Sequence, residues 1–182
     1  MTQKTQLQEI DELERNAIGL PSFTAKQMSG LLDTLVSSLS TQYHQYLKHH
    51  WVVEGPEHRD LHVFFEEAYM ETQGHLDAVA ERMTTLGAVP TASMRAQAGK
   101  SLLEAESEGV FPIRDMLKSD LENEQALISF IGETIAKASE LKDYGTETLL
   151  KKVLMEREER AHEIDHYLGH DSLVRKTLAE AQ

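Results

Sequence analysis

Residues 43–67 read YHQYLKHHWVVEGPEHRDLHVFFEE, and the fold turns on how this stretch breaks. Tyr43, Tyr46 and Leu47 continue an apolar series begun upstream by Met28, Leu31, Leu32, Leu35, Val36 and Leu39. That spacing marks one face of a helix. Gly55-Pro56 stops the series, because glycine suits the end of a helix and proline the first turn of the next. One helix is therefore expected from about residue 23 to 53 and a second from about 57 to 86, closed by Gly87 and Pro90. So short a break makes the two an antiparallel hairpin.

Working downstream, residues 88–111 mix Pro, Gly, Ser and Ala. They read as a long crossover with room for a short helix. A third helix is expected from Pro112 through Ile113, Met116, Leu117, Leu121, Leu127, Ile128, Ile131 and Ile135 to about Leu141. Asp143-Tyr144-Gly145 interrupts it, and Thr146 to Leu168 forms a fourth. The fold class is all-α. The expected organisation is an N-terminal tail over 1–22, a four-helix bundle over 23–168 with a crossover between its second and third helices, and a C-terminal tail over 169–182.

Composition narrows the function. The chain has 182 residues, enough for one domain with a proper core. It holds 31 acidic against 18 Lys and Arg residues, a net charge of -13. Such a surface attracts cations and repels phosphate backbones. There is no cysteine, so disulfides, iron–sulfur clusters and thiol chemistry are excluded. No run approaches the roughly 18 apolar residues of a membrane helix, and the first residues carry no apolar leader segment. A cytoplasmic location without membrane attachment is the expectation.

The residues with chemistry lie on the hairpin. His50 stands five residues before Gly55 and His62 six after Pro56, so folding at the turn brings them to one level. Counting about 100° per residue from His62, Glu66 falls near 40°, Asp77 near 60° and Glu81 near 100°. The four share a face as two i,i+4 pairs, His62 with Glu66 and Asp77 with Glu81. The pairs are centred 15 residues apart, about 22 Å along a helix axis. One ion cannot touch both within a chain. A two-fold axis crossing near Glu71 and Thr72 would lay the first pair of one copy against the second pair of another. Imidazole plus carboxylate suits iron, and accepts zinc or manganese. On residue pattern alone, a solvated polar face is the alternative.

The segments His49-His50-Trp51-Val52-Val53-Glu54-Gly55, Leu61-His62-Val63-Phe64-Phe65-Glu66-Glu67, Asp77-Ala78-Val79-Ala80-Glu81-Arg82 and Leu86-Gly87 resemble the signature of the Dps family. The likeness extends from the first helix to about Val174 and is nearest the archaeal and cyanobacterial branch. It implies a ferritin-like bundle, with His50, His62, Glu66, Asp77 and Glu81 as ligands of an intersubunit di-iron centre. Glu66 stands where many members carry Asp. The resemblance further implies a dodecamer built from two-fold dimers, a ferroxidase that oxidises Fe(II) to Fe(III) preferentially with hydrogen peroxide, and a stored ferric mineral. A ferritin-type intrachain centre would need Glu-x-x-His on two helices. Here only the fourth helix carries it, as Glu159…His162 and Glu163…His166.

Other features carry lesser expectations. His162, His166 and His170 recur at i,i+4 and with Glu159 form a candidate ion path in an assembled shell. Trp51 beside His50 is placed to intercept stray oxidising equivalents, Glu67 and Glu71 to nucleate mineral, and His75 to join the acidic pair as an extra ligand. DNA binding is doubtful. Residues 1–20 set Lys4 and Arg15 against Glu9, Asp11, Glu12 and Glu14, and Arg175 and Lys176 are balanced by Asp171 and Glu180. The competing readings are a nucleoid-binding structural protein and a redox-silent cage holding zinc at the same ligands.

Overall fold

A computed structural model describes residues 5–169. It is all-helical, with no strand among the described residues. The elements are α1 (Ser22–Val52), α2 (His58–Thr85), a short α3 (Met94–Ala98), α4 (Ile113–Glu140) and α5 (Tyr144–Leu168). α1 packs on α2 and α4, α2 also on α5, and α4 on α5, while α3 lies along α1.

The helix ends refine the sequence reading. α1 stops at Val52, and Gly55 takes φ +113°, a left-handed conformation natural to glycine. Pro56 lies in the turn ahead of α2 rather than in its first turn. The break between α4 and α5 falls at residues 141–143, slightly earlier than expected: Asp143 is the N-cap of α5 and accepts the Thr146 amide at 3.1 Å, and Tyr144 and Gly145 already belong to the helix. The left-handed residue at that corner is Lys142, φ 59°. Gly145 leaves room for the Arg82 guanidinium, which a Cβ there would approach to 2.9 Å.

The crossover is tied to α1 by its polar side chains. Asp33 accepts the Thr91 amide at 2.8 Å, the Thr91 hydroxyl at 2.9 Å and Lys100 Nζ at 2.6 Å. Ser40 donates to Gln97 at 2.8 Å. The N-terminal segment is not a free tail over its described length, because Leu13 and Leu20 pack on the core and the Glu14 amide donates to the Gly87 carbonyl at 2.9 Å.

Two apolar clusters fill the bundle. One gathers Met28, Leu32, Leu35, Leu39, Val79, Met83, Leu127, Ile131, Leu150 and Val153. The other gathers Tyr46, Leu61, Phe65, Leu117 and Ile164 around the hairpin turn. Between them lies a layer of buried polar residues: Gln42, Thr72, His75, Asp120, Glu124, Arg157 and Arg160.

Candidate metal centre

The hairpin turn sets His50 in the last turn of α1 against His62 in the second turn of α2. Their rings stack with centroids 3.8 Å apart and planes 19° from parallel. Each Nδ1 meets the other residue's carbonyl oxygen, His50 to His62 at 3.0 Å and His62 to His50 at 2.9 Å. The His50 carbonyl is free to accept because α1 ends two residues later, leaving its last carbonyls without helical partners. In a neutral ring, donation from Nδ1 leaves the lone pair on Nε2. This backbone arrangement is the usual one for metal-binding histidine. The ring of Tyr69 stands edge-on to His50 at 5.4 Å, and the ring of His58 lies 5.1 Å from that of His62.

The acidic residues do not join them within one chain. Glu66, Asp77 and Glu81 are all exposed along α2. Between the two pairs stand Met70, 58% exposed, and on the margin Val63, 47% exposed. This outward face therefore alternates carboxylate and imidazole side chains with exposed apolar ones. Trp51 is exposed as well, and lines a cavity of about 570 Å³ between α1 and the crossover with Met94, Ala98 and Val110.

Two sequence expectations change. His75 does not stand beside Asp77 and Glu81: it is buried on the opposite side of α2, with Nε2 against Glu156 of α5. Helix phase explains this, since two residues of separation turn a side chain through about 200°. Glu71 is no free surface acid, for it bonds Arg157 and, at 2.7 Å, Arg160. Burial opposes its ionisation, but Arg157 and then Arg160 outweigh that and hold its carboxyl below the usual range. Glu159, His162 and His166 are exposed on α5, pointing out of the bundle, in keeping with the expectation that Glu-x-x-His on the fourth helix alone makes no intrachain centre. The Nε2 atoms of His162 and His166 do approach to 3.0 Å. His170 lies outside the described residues.

What occupies the bundle centre instead is a guanidinium. Arg157, fully buried, donates to Thr72 at 3.0 Å, to Glu124 at 2.9 Å and to Glu71. The Tyr46 hydroxyl also donates to Glu124, at 2.7 Å. Ferritin-type centres place inward carboxylates around metal at such a position; here Arg157 supplies the positive charge.

His49 carries a second buried group that the motif reading passed over. Nδ1 lies 2.8 Å from Asp120 and Nε2 3.0 Å from Glu106 of the crossover. Both nitrogens face carboxylate oxygens, so both must donate. Burial of the ring lowers its pKa, but Asp120 and then Glu106 outweigh that and raise it above the ordinary value. A raised folded pKa gives stability that is fully present below the unfolded value, about 6.5. It is lost as pH rises through the folded value. In iron-free protein, the melting-temperature gap between the parent and His49→Gln should therefore be widest below neutrality and narrow into the alkaline range. A gap independent of pH would remove the imidazolium.

The ferritin-like domain family model matches residues 30–174. The chain is 39% identical over 179 residues to a nutrient stress-induced DNA-binding protein of Nostoc sp., covering 98% of this chain and 97% of the relative. It is 36% identical over 180 residues to a DNA protection during starvation protein of Halobacterium salinarum, covering 98% and 99%. The crystal structure of an archaeal Dps homologue from Halobacterium salinarum superposes with a TM-score of 0.90 at 36% identity, over 97% of this chain and 98% of that one. With these likenesses running the length of the chain over the same bundle and crossover, the protein belongs to the Dps family of ferritin-like proteins.

Proposed function

We propose that this protein is an iron-oxidising, iron-storing cage, with His50, His62 and Glu66 of one chain meeting Asp77 and Glu81 of a second at an intersubunit di-iron centre. One observation carries the reading. The stacked His50–His62 pair has both Nδ1 atoms committed to backbone carbonyls, while the carboxylates it lacks lie on the same exposed face of α2. A two-fold axis near Glu71 and Thr72 supplies them and covers Met70. Twelve chains so paired would form a dodecamer.

The division of labour follows from the donors. Neutral imidazole Nε2 atoms bind Fe(II), and three carboxylates stabilise the harder Fe(III) that oxidation leaves. Two Fe(II) ions give one electron each to hydrogen peroxide, whose O–O bond breaks to yield water after protonation, so no hydroxyl radical is released. The net charge of -13 concentrates cations at the surface. Peroxide consumption after Fe(II) loading tests the reading: the parent should consume it at least about tenfold faster than a His62→Ala, Asp77→Ala chain, the scale at which metal-site substitutions act. Equal rates would reject it. Equal rates with tight zinc binding would favour the redox-silent cage.

The printed names of the Nostoc and Halobacterium relatives carry DNA binding or protection. Within the described N-terminal segment, Arg15 is the one Lys or Arg against Glu9, Asp11, Glu12 and Glu14. Gel shifts are expected only at low ionic strength, vanishing by about 0.15 M salt, where exposed charges are screened beyond about 8 Å. Retention of DNA above that salt would restore the nucleoid-binding alternative.

A further inference from the structure

The buried layer between the two apolar clusters contains a group that the five-residue face does not use. Glu71 and His75 of α2 and Glu156 of α5 each offer one ligand atom, and these atoms lie within 4.8 Å of one another. Donors about 2.0–2.2 Å from an ion stand no more than about 4.4 Å apart. Three donors around one ion stand closer still, about 3–4 Å from one another, so the group closes on a cation by side-chain rotation, Glu156 being the most exposed of the three. His75 forms the floor of the group, its side chain 9% exposed, and Glu156 the mouth at 36%.

A second observation points to a ligand. Four side-chain atoms of this layer are buried without a partner: His75 Nδ1, Glu124 Oε2, Arg157 Nε and Arg160 Nε. Three can donate and one accepts. Buried groups of this kind are normally satisfied, and the acceptor among them, Glu124 Oε2, is what a water O–H would serve. A cation held by Glu71, His75 and Glu156 would keep its remaining water ligands, whose polarised O–H groups donate to such an acceptor. The neighbouring guanidiniums do not exhaust Glu71, since a carboxylate has about four acceptor positions and Arg157 and Arg160 engage one oxygen each. Glu124 and Glu163, bonded to Arg157 and Arg160, offset their charge.

We propose that Glu71, His75 and Glu156 form an intrachain site for one divalent cation of the Fe(II), Co(II) or Zn(II) class, separate from the intersubunit centre. One imidazole and two carboxylates are the donor set for such ions. The site lies on the side of α2 opposite His62, Glu66, Asp77 and Glu81, and it is complete in a single chain. It therefore stands whether or not the intersubunit reading does.

Cobalt(II) binding to the assembled full-length protein provides the test, read by equilibrium dialysis with metal analysis and by the visible d–d spectrum. Glu156→Gln removes the most exposed ligand and should leave folding intact; His75→Gln removes the nitrogen. Each is expected to bind one Co(II) per chain fewer than the parent at a free concentration that saturates the parent. The same one-ion loss is expected when either change is made in a His62→Ala, Asp77→Ala background. The proposal is overturned if Glu156→Gln, with an unaltered melting temperature, binds as many ions as its parent in both backgrounds. A loss seen only in the parent background would also overturn it, by assigning the ion to the intersubunit centre.

Discussion

Cages assembled from an equal mixture of a His50→Ala, His62→Ala chain and an Asp77→Ala, Glu81→Ala chain should recover about a quarter of parental peroxide-dependent iron oxidation, although cages of either variant alone should recover almost none. The expectation follows from how a two-fold dimer distributes its sites. Each dimer carries two, and each site takes a histidine half from one chain and an acidic half from the other. In a mixed dimer, one site combines both damaged halves and the other combines both intact halves. Random pairing makes about half the dimers mixed, with one working site of two in each. An intrachain centre predicts no recovery at any ratio, because every chain then carries a defect in its own site. The mixture must be unfolded and reassembled together, or coexpressed, so that chains exchange. Melting temperatures of the separate cages guard against a trivial loss, since His50 and His62 also bond each other's backbone.

Arg157→Met should be the most destabilising substitution in the bundle interior. Arg157 is fully buried and donates to Thr72, Glu124 and Glu71. Removing it leaves Glu124, itself fully buried, without its counter-ion. Breaking one partner of a buried ion pair costs about 3–5 kcal/mol. For a chain of this size that lowers the melting temperature by roughly 6–20 °C, compared at equal protein concentration because assembly adds its own stability. Much of the loss should return in an Arg157→Met, Glu124→Leu chain, since exchanging a buried ion pair for apolar groups is often near neutral. An Arg157→Met chain that melts within about 2 °C of the parent would mean that water reaches the layer and solvates Glu124.

Much of this layer was written in the sequence, though not in the features that usually attract attention. Leu117, Asp120, Glu124, Leu127 and Ile131 follow one helical phase, and all are buried. On α5, Leu150, Val153, Arg157, Arg160 and Ile164 do the same. A search for apolar residues at helical spacing passes over Asp120, Glu124 and Arg157 as gaps, when charged residues at core phase are themselves the signal. His49 and His75 sit at core phase too, so their separation from His50 and the acidic pair was readable from the angle alone. Which acid meets which base was not readable, because that depends on the relative height of helices far apart in the chain. The Asp143 cap was missed for a related reason: Tyr144 and Gly145 look like a turn until the Asp143 side chain is seen to hold the Thr146 amide.

The sequence by itself determined the four long helices, the hairpin at Gly55, the crossover and the shared face of His62, Glu66, Asp77 and Glu81. Each follows from local rules of 3.6-residue periodicity and chain reversal, which need no knowledge of distant partners. Tertiary structure decided what each polar side chain faces. It turned His75 inward and tied Glu71 to two arginines. It gave the bundle centre to Arg157, and locked the His50 and His62 rings through each other's carbonyls. Those outcomes depend on axial register between helices, and register is fixed by the packing of the whole core around buried charges that must be paired.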